Sequence, residues 1–351
     1  MNKTVPVFPF TALCDQPDLQ KVLLLLAVDP RIGGVLLSGP RGMAKTTSAR
    51  ALAEVMPEGS FVNLPLGADE EQLSGSLDID SVLQEKRLAF KPGLLAKADG
   101  GVLYIDEVNL LADSLVDLLL DVSSSGVNRV ERDGISHTHS ARIALIGSMN
   151  PEEGQLRPQL LDRFGLYLQM PETLSVQTRQ TIVRQRLAFD ADPQGFVAAH
   201  AQALQMLRRE LQAARERLEQ IAFSDENHEQ VARLCFEGGV EGVRADLVLL
   251  RAARAHAALN QRSVILSQDI SAVAGWALAH RRQDNPSTAQ APTSAPPSGT
   301  GANSAADSAP GEGAAHGQTR NADGADWGSL PSQPVAPAAL KSVRPLQAKK
   351  P

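Results

Sequence analysis

The chain has 351 residues, 43% of them hydrophobic, which is enough for two compact domains and additional sequence. Its formal net charge of −6 gives no general basic surface, so we expect no nucleic-acid partner. The apolar run at 22–28 is far too short to span a bilayer, and no signal-peptide pattern is present, so we expect no membrane span. The only cysteines, Cys14 and Cys235, are far apart and indicate reduced thiols, which predicts a soluble cytoplasmic protein.

Helices and strands are predicted to alternate in the first half of the chain. A helix is predicted over 17–28, and a short strand at 35–37 precedes a helix over 48–56. The further predicted elements are a strand at 60–64, a partly helical insertion at 67–92, a helix at 94–98, a strand at 101–105, a helix at 110–122, a hairpin of 127–132 and 135–140, a strand at 142–147, a helix that ends at 160–164 and a strand at 166–170. The Asp133-Gly134 pair is a strong turn signal for this hairpin. Apolar strands flanked by helices are typical of a parallel sheet covered on both faces.

Only helices are predicted after residue 174. They cover 175–189, 195–220, 225–236, 243–260 and 267–282. This change of pattern predicts an α/β domain at 1–172 and an all-α domain at 173–283. Residues 284–351 are rich in Pro, Ala, Ser and Gly and bury too little apolar surface to offset their chain entropy, so we expect a disordered tail. The charged residues of the helix at 195–220 are interpreted as a solvated face.

A phosphate-binding loop (the P-loop, residues 39–47) is predicted between the first strand and its helix. Its residues are Gly39, Pro40, Arg41, Gly42, Met43, Ala44, Lys45, Thr46 and Thr47. Backbone N–H groups and a helix N-terminus bind phosphates in such loops, the lysine reaches the β- and γ-phosphates, and the first threonine offers its hydroxyl to Mg²⁺. Ala44 departs from the consensus, which has glycine there because the backbone bends tightly. The imperfect motif alone leaves open an ordinary turn before a helix.

Two acidic residues end the apolar strand at 101–105. Asp106 can hold Mg²⁺ through water, opposite Thr46, and Glu107 can orient and polarise the attacking water. Adjacent acids form a solvated loop in most proteins, but their place after an apolar strand and downstream of a P-loop favours the chemical role. Thr46 and Asp106 are therefore the predicted metal ligands, and Glu107 is a predicted catalytic residue.

An asparagine follows the strand at 142–147, which we expect beside the strand of Asp106. Asn150 can hydrogen-bond the γ-phosphate or the water without adding negative charge, and the alternative is a turn asparagine before Pro151. His137 and His139 alternate along a strand, but they have no nearby Cys or acidic partners. They are interpreted as hairpin surface rather than as metal ligands.

Five blocks of sequence together resemble the AAA+ ATPase subunit of magnesium chelatase. They are Gly-Pro-Arg-Gly…Ala-Lys-Thr, Leu-Tyr-Ile-Asp-Glu-Val-Asn-Leu-Leu, Ser-Met-Asn-Pro-Glu-Glu-Gly, Leu-Arg-Pro-Gln-Leu-Leu-Asp-Arg-Phe-Gly and Gly-Val-Arg-Ala-Asp-Leu. The resemblance covers about residues 7–282, and similar chelatase-like and MoxR-like proteins also allow alanine at the position of Ala44. It implies an α/β P-loop AAA+ core with a parallel sheet and helices on both faces, followed by an all-α lid domain. Residues 65–79 resemble the family's insertion in helix 2, and 127–141 its hairpin before sensor 1.

The resemblance implies roles for two arginines. Arg163 matches the arginine finger, which reaches the γ-phosphate bound by the neighbouring subunit, and Arg244 matches sensor 2 of the lid. A planar guanidinium that is always charged suits the stabilisation of spread-out oxyanion charge. On the residues alone, Arg163 is equally compatible with a surface ion pair. Action of Arg244 in cis and in trans both stay open.

The resemblance also implies a motor function. It predicts a ring oligomer, expected to be a hexamer, that uses ATP and Mg²⁺ as cofactors and remodels a partner that inserts a metal ion into a tetrapyrrole. The implied partners are an AAA+ subunit with an integrin-like domain and a large tetrapyrrole-binding subunit, and the inserted metal is Mg²⁺ or Co²⁺. A MoxR-like chaperone ATPase is the first alternative. A non-catalytic scaffold is disfavoured because Lys45, Asp106, Glu107 and Arg163 are present.

Overall fold

The computed structural model describes residues 6–57, 59–78, 89–132 and 135–282. The chain divides into two units, Met1–Ala289 and Gln290–Pro351, and all described residues belong to the first. The predicted tail at 284–351 and the predicted turn at 133–134 lie outside the described residues.

A five-stranded parallel sheet forms the centre of the first unit. The described strands are β1 (Val35–Ser38), β2 (Phe61–Leu64), β3 (Gly75–Asp78), β4 (Ala89–Pro92), β5 (Val102–Ile105), β6 (Val127–Arg132), β7 (Ile135–Ser140), β8 (Ala144–Met149) and β9 (Leu166–Gln169). The sheet has the order β2-β5-β8-β1-β9, and all of its strands are parallel. Because β8 lies between β5 and β1, the segments that follow these three strands meet at one edge of the sheet.

Helices cover the sheet and continue beyond it. The described α-helices are α1 (Pro17–Val28), α2 (Lys45–Val55), α3 (Glu70–Ser74), α4 (Leu94–Lys97), α5 (Asp113–Ser125), α6 (Pro158–Arg163), α7 (Val176–Ala191), α8 (Pro193–Leu218), α9 (Asp225–Glu237), α10 (Arg244–Leu259) and α11 (Ser267–Leu278). The region after β9 is helical, as the sequence predicts, and the predicted α/β class with a parallel sheet and a helical lid region is confirmed. Among the described helices, none combines the length and the apolar character that a membrane crossing requires.

Successive side chains of each strand point to opposite faces of the sheet, so the buried core lies on both faces. Leu37 of β1 and Ile146 of β8 belong to one buried cluster, whereas Leu36 and Leu145 belong to another. Apolar side chains on both faces explain why the strands are continuous apolar runs. The first cluster also contains buried residues of α8, α10 and α11, so the helical region shares a core with one face of the sheet. The predicted domain boundary at 172/173 stays a prediction.

Several predicted element boundaries are wrong. The helix predicted at 110–122 begins only at Asp113 and ends at Ser125, because Val108–Leu110 forms a separate 3-10 turn. The strand predicted at 142–147 is displaced to Ala144–Met149. The helix after the P-loop begins at Lys45 rather than at residue 48. The last predicted helix ends at Leu278 instead of residue 282.

The insertion and the hairpin contact each other. The insertion contains α3, as predicted, and also β3 and β4, which pair antiparallel and were not expected. The strands of the predicted hairpin, β6 and β7, pair antiparallel with Arg132 opposite Ile135. Asn128 on β6 is fully buried, and its Nδ2 donates to the Ser74 carbonyl at 2.8 Å. This hydrogen bond ties the hairpin to the insertion.

Candidate active site

The P-loop opens into a cavity of about 500 Å³ at the edge where β1, β5 and β8 end. The P-loop follows β1, Asp106 and Glu107 follow β5, and Asn150 follows β8. The residues that line the cavity are Phe8, Ala12, Leu13, Cys14, Gln16, Arg41, Gly42, Met43, Ala44, Lys45, Thr46, Thr47, Asp106, Glu107, Ser148, Asn150, Ile182, Gln185 and Arg186. The structure therefore brings the predicted phosphate, metal and water-activating residues to one site. Gly39 and Pro40 belong to the loop but lie outside this lining.

The loop keeps a glycine-like backbone at Ala44. Ala44 has φ 59° and ψ 22°, in the left-handed region, and immediately precedes α2. This conformation costs a residue with a side chain roughly 1–2 kcal/mol, which explains why the consensus has glycine there. At Gly39 the φ is 158° and an added Cβ would lie 2.8 Å from the Met170 Cβ, so a side chain does not fit. The residue at position 44 therefore departs from the motif, while its backbone keeps the conformation that glycine adopts there.

Lys45 is held at the base of the loop. Its Nζ donates hydrogen bonds to the Gly39 carbonyl at 2.6 Å and to the Met149 carbonyl at 3.0 Å. Burial lowers the pKa of Lys45, and the nearby carboxylates of Asp106 and Glu107 oppose this shift. An ammonium held by neutral carbonyls in a partly buried site favours a negatively charged ligand, because a phosphate oxygen is a stronger acceptor.

Thr46 and Asp106 are joined through a buried tyrosine. The Thr46 Oγ1 lies 2.9 Å from the Tyr104 hydroxyl, which donates to Asp106 Oδ1 at 3.1 Å. The Ser148 hydroxyl also donates to Asp106 Oδ1, at 2.5 Å. Burial raises the pKa of Tyr104 to about 12, so this phenol stays protonated at neutral pH. Sequence reasoning missed Tyr104 and Ser148, because their contacts depend on how β5 packs against β8 and α2.

This pair of oxygen donors fits Mg²⁺. Magnesium is usually bound by one or two protein oxygen ligands together with waters and substrate phosphates, rather than by a cage of protein groups. Thr46 supplies a hydroxyl and Asp106 a carboxylate beside Lys45, the lysine predicted to bind phosphate. Consistently, the described residues contain no cluster of three His, Cys, Asp or Glu side chains that could hold a metal by themselves.

Glu107 and Asn150 also line the cavity. Glu107 has φ 52°, its N–H donates to Ser148 Oγ at 3.3 Å, and its carboxylate lies 3.4 Å from Arg41. Arg41 also pairs with Glu153. The Asn150 side chain is buried, and its Oδ1 accepts from the Glu152 N–H at 3.3 Å. Both side chains line the cavity, so they are in place for the predicted water and phosphate contacts.

Arg163 and Arg244 lie elsewhere. They line a second cavity of about 250 Å³, together with Arg31 and Arg251. Arg163 pairs with Asp117 at 3.0 Å and with Asp121 at 3.2 Å on α5, and Arg244 pairs with Asp162 at 3.1 Å. Neither arginine lines the P-loop cavity in the described part of the chain. A single chain therefore presents its phosphate-binding loop and these two arginines at separate places.

One wall of the cavity was missed by sequence reasoning. It is formed by residues 8–16, which precede the first predicted helix, and by Ile182, Gln185 and Arg186 of α7. Phe8 packs against Phe189 with ring centroids 5.4 Å apart. This wall is suited to a planar, partly apolar group such as a base. The apolar cluster of aromatic residues near the N-terminus was the signal that could have indicated it.

The predicted hairpin histidines have structural contacts. The His137 ring stacks on Phe90 of β4 with centroids 4.1 Å apart. His139 Nε2 is 3.0 Å from Asn128 Nδ2, and its Nδ1 is 2.8 Å from the Ser140 carbonyl. These contacts agree with the interpretation of both residues as part of the hairpin rather than as a metal site.

Comparisons with known proteins agree with this fold. A family model described as the MCM P-loop domain matches residues 31–185, and one described as the AAA lid domain matches 228–299. An uncharacterized protein of Mycobacterium tuberculosis is 48% identical over 285 residues. That match covers 80% of this chain and 45% of the Mycobacterium protein, so the chain spans less than half the length of this relative.

Two further relatives are magnesium-chelatase subunits. The 38 kDa subunit of Rhodobacter capsulatus magnesium chelatase is 44% identical over 316 residues, covering 81% of this chain and 90% of the subunit. A chain from a complex of the magnesium-chelatase subunits BchI and BchD is 43% identical and covers 80% of this chain and 97% of that chain. Its TM-score of 0.47 is too low for the superposition to carry a structural conclusion. By its sequence, the chain belongs to the ChlI/BchI family of magnesium-chelatase subunits, which are AAA+ ATPases.

Proposed function

We propose that this chain is the ATP-hydrolysing motor subunit of a metal chelatase and drives metal insertion into a tetrapyrrole by a partner subunit. The observation that carries the proposal is the convergence of Lys45, Thr46, Asp106 and Glu107 on one cavity in a member of this family. The family relationship also favours a chelatase motor over the MoxR-like alternative. The metal that is inserted is a substrate, and we propose Mg²⁺ or Co²⁺.

ATP and Mg²⁺ are the proposed cofactors. The P-loop N–H groups and Lys45 would bind the phosphates, and the residues at 8–16 with α7 would hold the base. Thr46 and Asp106 would hold Mg²⁺, which when bound neutralises charge on the phosphate oxygens. Glu107 would orient the attacking water, and the Asn150 amide would hydrogen-bond the γ-phosphate or this water without adding negative charge.

Arg163 and Arg244 would act on the nucleotide of a neighbouring copy. Support comes from the second cavity, which is lined by both arginines and is distinct from the P-loop cavity of the same chain. Two fixed guanidinium groups stabilise the charge that develops on transferred phosphoryl oxygens. We therefore propose a trans role for Arg244 as well as for Arg163.

We propose self-assembly into a ring, with a hexamer as the specific expectation. Two side chains beside Arg244 are strongly exposed for apolar residues, Val243 at 73% and Leu247 at 52%. Leu247 also lines the second cavity. Apolar side chains exposed next to a charged cavity are typical of a surface that a partner covers. A second copy that presents its nucleotide there would bury them.

The further proposed partners are an AAA+ subunit with an integrin-like domain and a large tetrapyrrole-binding subunit, as in the family. A cytoplasmic location also stays a proposal; it agrees with the unpaired thiols of Cys14 and Cys235.

Nucleotide binding and hydrolysis of the purified protein test the enzymatic part. Glu107→Gln should bind ATP with Mg²⁺ about as well as the wild type and hydrolyse it very slowly, because the water loses its orienting carboxylate while the phosphate contacts survive. Lys45→Ala should lose nucleotide affinity. Glu153→Gln is the matched control, since Glu153 also pairs with Arg41 but is not assigned to the water. Wild-type turnover by Glu107→Gln would remove the proposed role of Glu107.

A further inference from the structure

Tyr104 is completely buried, yet its hydroxyl lies between the two proposed magnesium ligands. It is 2.9 Å from Thr46 Oγ1 and 3.1 Å from Asp106 Oδ1. We propose that Tyr104 is a positioning residue that orients the Thr46 hydroxyl so that its lone pairs face the divalent cation. This inference rests on the proposed ATP site and adds a residue that is neither part of the P-loop nor one of the two acids.

The direction of each proton follows from the groups involved. An ionised carboxylate can only accept hydrogen bonds, so the single Tyr104 proton is donated to Asp106. The Tyr104 oxygen is then an acceptor toward Thr46, and the Thr46 proton must point at Tyr104. The Thr46 lone pairs consequently face the cavity, where a cation needs them.

The same network leaves one carboxylate oxygen of Asp106 for the cation or its water. Both donors, the hydroxyls of Tyr104 and Ser148, bind to Oδ1. Ser148 also accepts the N–H of Glu107 at 3.3 Å. Among the described residues, no side chain donates a hydrogen bond to Oδ2. The buried hydroxyls thus hold one edge of the carboxylate and leave the other edge toward the cavity.

Removal of the phenol oxygen should weaken the metal site specifically. Without Tyr104 as acceptor, the Thr46 proton would turn to the Asp106 carboxylate or to a phosphate oxygen and would compete with the cation there. A hydrogen bond of this kind contributes on the order of 1 kcal/mol, or more when a charge is involved. We expect the metal-dependent part of nucleotide affinity to fall about 5- to 20-fold.

The experiment measures the magnesium coupling factor, defined as the dissociation constant of a fluorescent, non-hydrolysable ATP analogue in EDTA divided by that in excess Mg²⁺. Tyr104→Phe should lower this factor about 5- to 20-fold while affinity in EDTA stays within about 2-fold of the wild type. Tyr167→Phe is the matched control, because Tyr167 is the only other tyrosine and its hydroxyl contacts Gln169 instead. An unchanged factor in Tyr104→Phe would overturn the proposal, as would an equal loss of affinity in EDTA.

A double-mutant cycle and an unnatural residue separate orientation from packing. In a Thr46→Ala background, Tyr104→Phe should change the coupling factor less than about 2-fold, because the hydroxyl to be oriented is gone. Replacement of Tyr104 by 4-aminophenylalanine keeps the ring volume and a donor for Asp106, but its amine is a poor acceptor for Thr46. This variant should lose coupling as Tyr104→Phe does, and it also serves if Tyr104→Phe fails to fold. Full coupling with 4-aminophenylalanine would show that Thr46 orientation is not the role of Tyr104.

The proposed ATPase function and the Tyr104 assignment can be contradicted independently. A wild-type protein that couples Mg²⁺ to nucleotide binding but does not hydrolyse ATP would contradict the proposed function and leave the Tyr104 assignment intact. A wild-type protein that hydrolyses ATP, with a Tyr104→Phe variant of unchanged coupling, would remove the Tyr104 assignment alone.

Discussion

Arg244 Nη1 lies 3.1 Å from Asp162 Oδ2, so the first residue of α10 is paired with the residue directly before Arg163. Arg281, which is only 7% exposed, binds the other Asp162 oxygen at 3.1 Å and donates to the Asp162 carbonyl at 2.6 Å. The helical region therefore holds the end of α6 that carries Arg163.

Arg163→Ala should bind nucleotide almost normally and lose most hydrolysis, because charge stabilisation is lost only in the transition state. Arginine fingers are worth on the order of 10³ to 10⁵ in rate in well-studied nucleotide hydrolases. Steady-state ATPase activity and nucleotide binding measure the two quantities. Arg157→Ala is the control, since Arg157 directly precedes α6 and pairs with Asp113 on the surface.

Mixtures of Arg163→Ala and Lys45→Ala test whether the arginine acts in trans. Some junctions of a mixed ring would join an intact P-loop of one variant to an intact arginine of the other, so ATPase activity plotted against the mixing ratio should be bell-shaped. Both variants must first be shown to assemble. Activity that stays at the level of the inactive parents at every ratio would refute the trans role.

Ala44 offers a test of the loop conformation. Ala44→Gly should retain nucleotide affinity, because glycine adopts φ 59° without strain. Ala44→Val should lose affinity and lower the melting temperature, since a β-branched residue is strongly disfavoured in the left-handed region. Ala201→Val, on the exposed surface of α8, is the control for the added volume. Normal nucleotide binding by Ala44→Val would mean that the loop binds phosphate in another conformation.

The stability of the protein should depend on pH through His280. Burial, with the nearby charge of Arg281, lowers the pKa of His280 from 6.5 to about 3, while its Nε2 is hydrogen-bonded to the Phe164 carbonyl at 3.0 Å. Because the unfolded state then binds the proton more tightly, this contribution to stability is present above pH 6.5 and is lost as the pH falls toward 3. The slope from this residue is at most about 1.4 kcal/mol per pH unit.

Urea unfolding of the wild type and of His280→Asn between pH 7 and pH 4 isolates the contribution of His280 to stability, since the other titratable groups contribute equally to both proteins. The difference in unfolding free energy between the two proteins should shrink as the pH falls. A difference that is independent of pH would show that His280 titrates normally in the folded protein.

Asp29 is predicted to be a stability residue rather than a site residue. It is 1% exposed and pairs with Arg31 at 2.9 Å and with Arg254 of α10 at 3.2 Å. Asp29→Asn leaves the mostly buried Arg254 without its counter-charge and should destabilise the protein by about 2–4 kcal/mol. Asp190→Asn, which breaks an exposed pair with Arg186, should cost less than about 1 kcal/mol. Similar melting temperatures for both variants would contradict this assignment.

Local patterns were sufficient to predict the P-loop, the two acids after β5 and Asn150 after β8, because each lies next to an apolar strand. The contacts of Tyr104 and Ser148 could not be predicted in this way, since they arise only when β5 lies beside β8 and the P-loop helix covers Tyr104. The displaced start of α5 has a similar origin, because the same apolar periodicity continues through the 3-10 turn at Val108–Leu110.

Reconstituted metal insertion is the decisive assay for the proposed motor function. The protein, or its Glu107→Gln variant, is combined with the partner and tetrapyrrole-binding subunits of a magnesium chelatase, and the fluorescence of the metallated tetrapyrrole is followed with ATP and Mg²⁺. The account predicts ATP-dependent insertion with the wild type and almost none with Glu107→Gln, although this variant still binds ATP. Insertion at the wild-type rate with Glu107→Gln would contradict the claim that hydrolysis at this cavity drives the reaction.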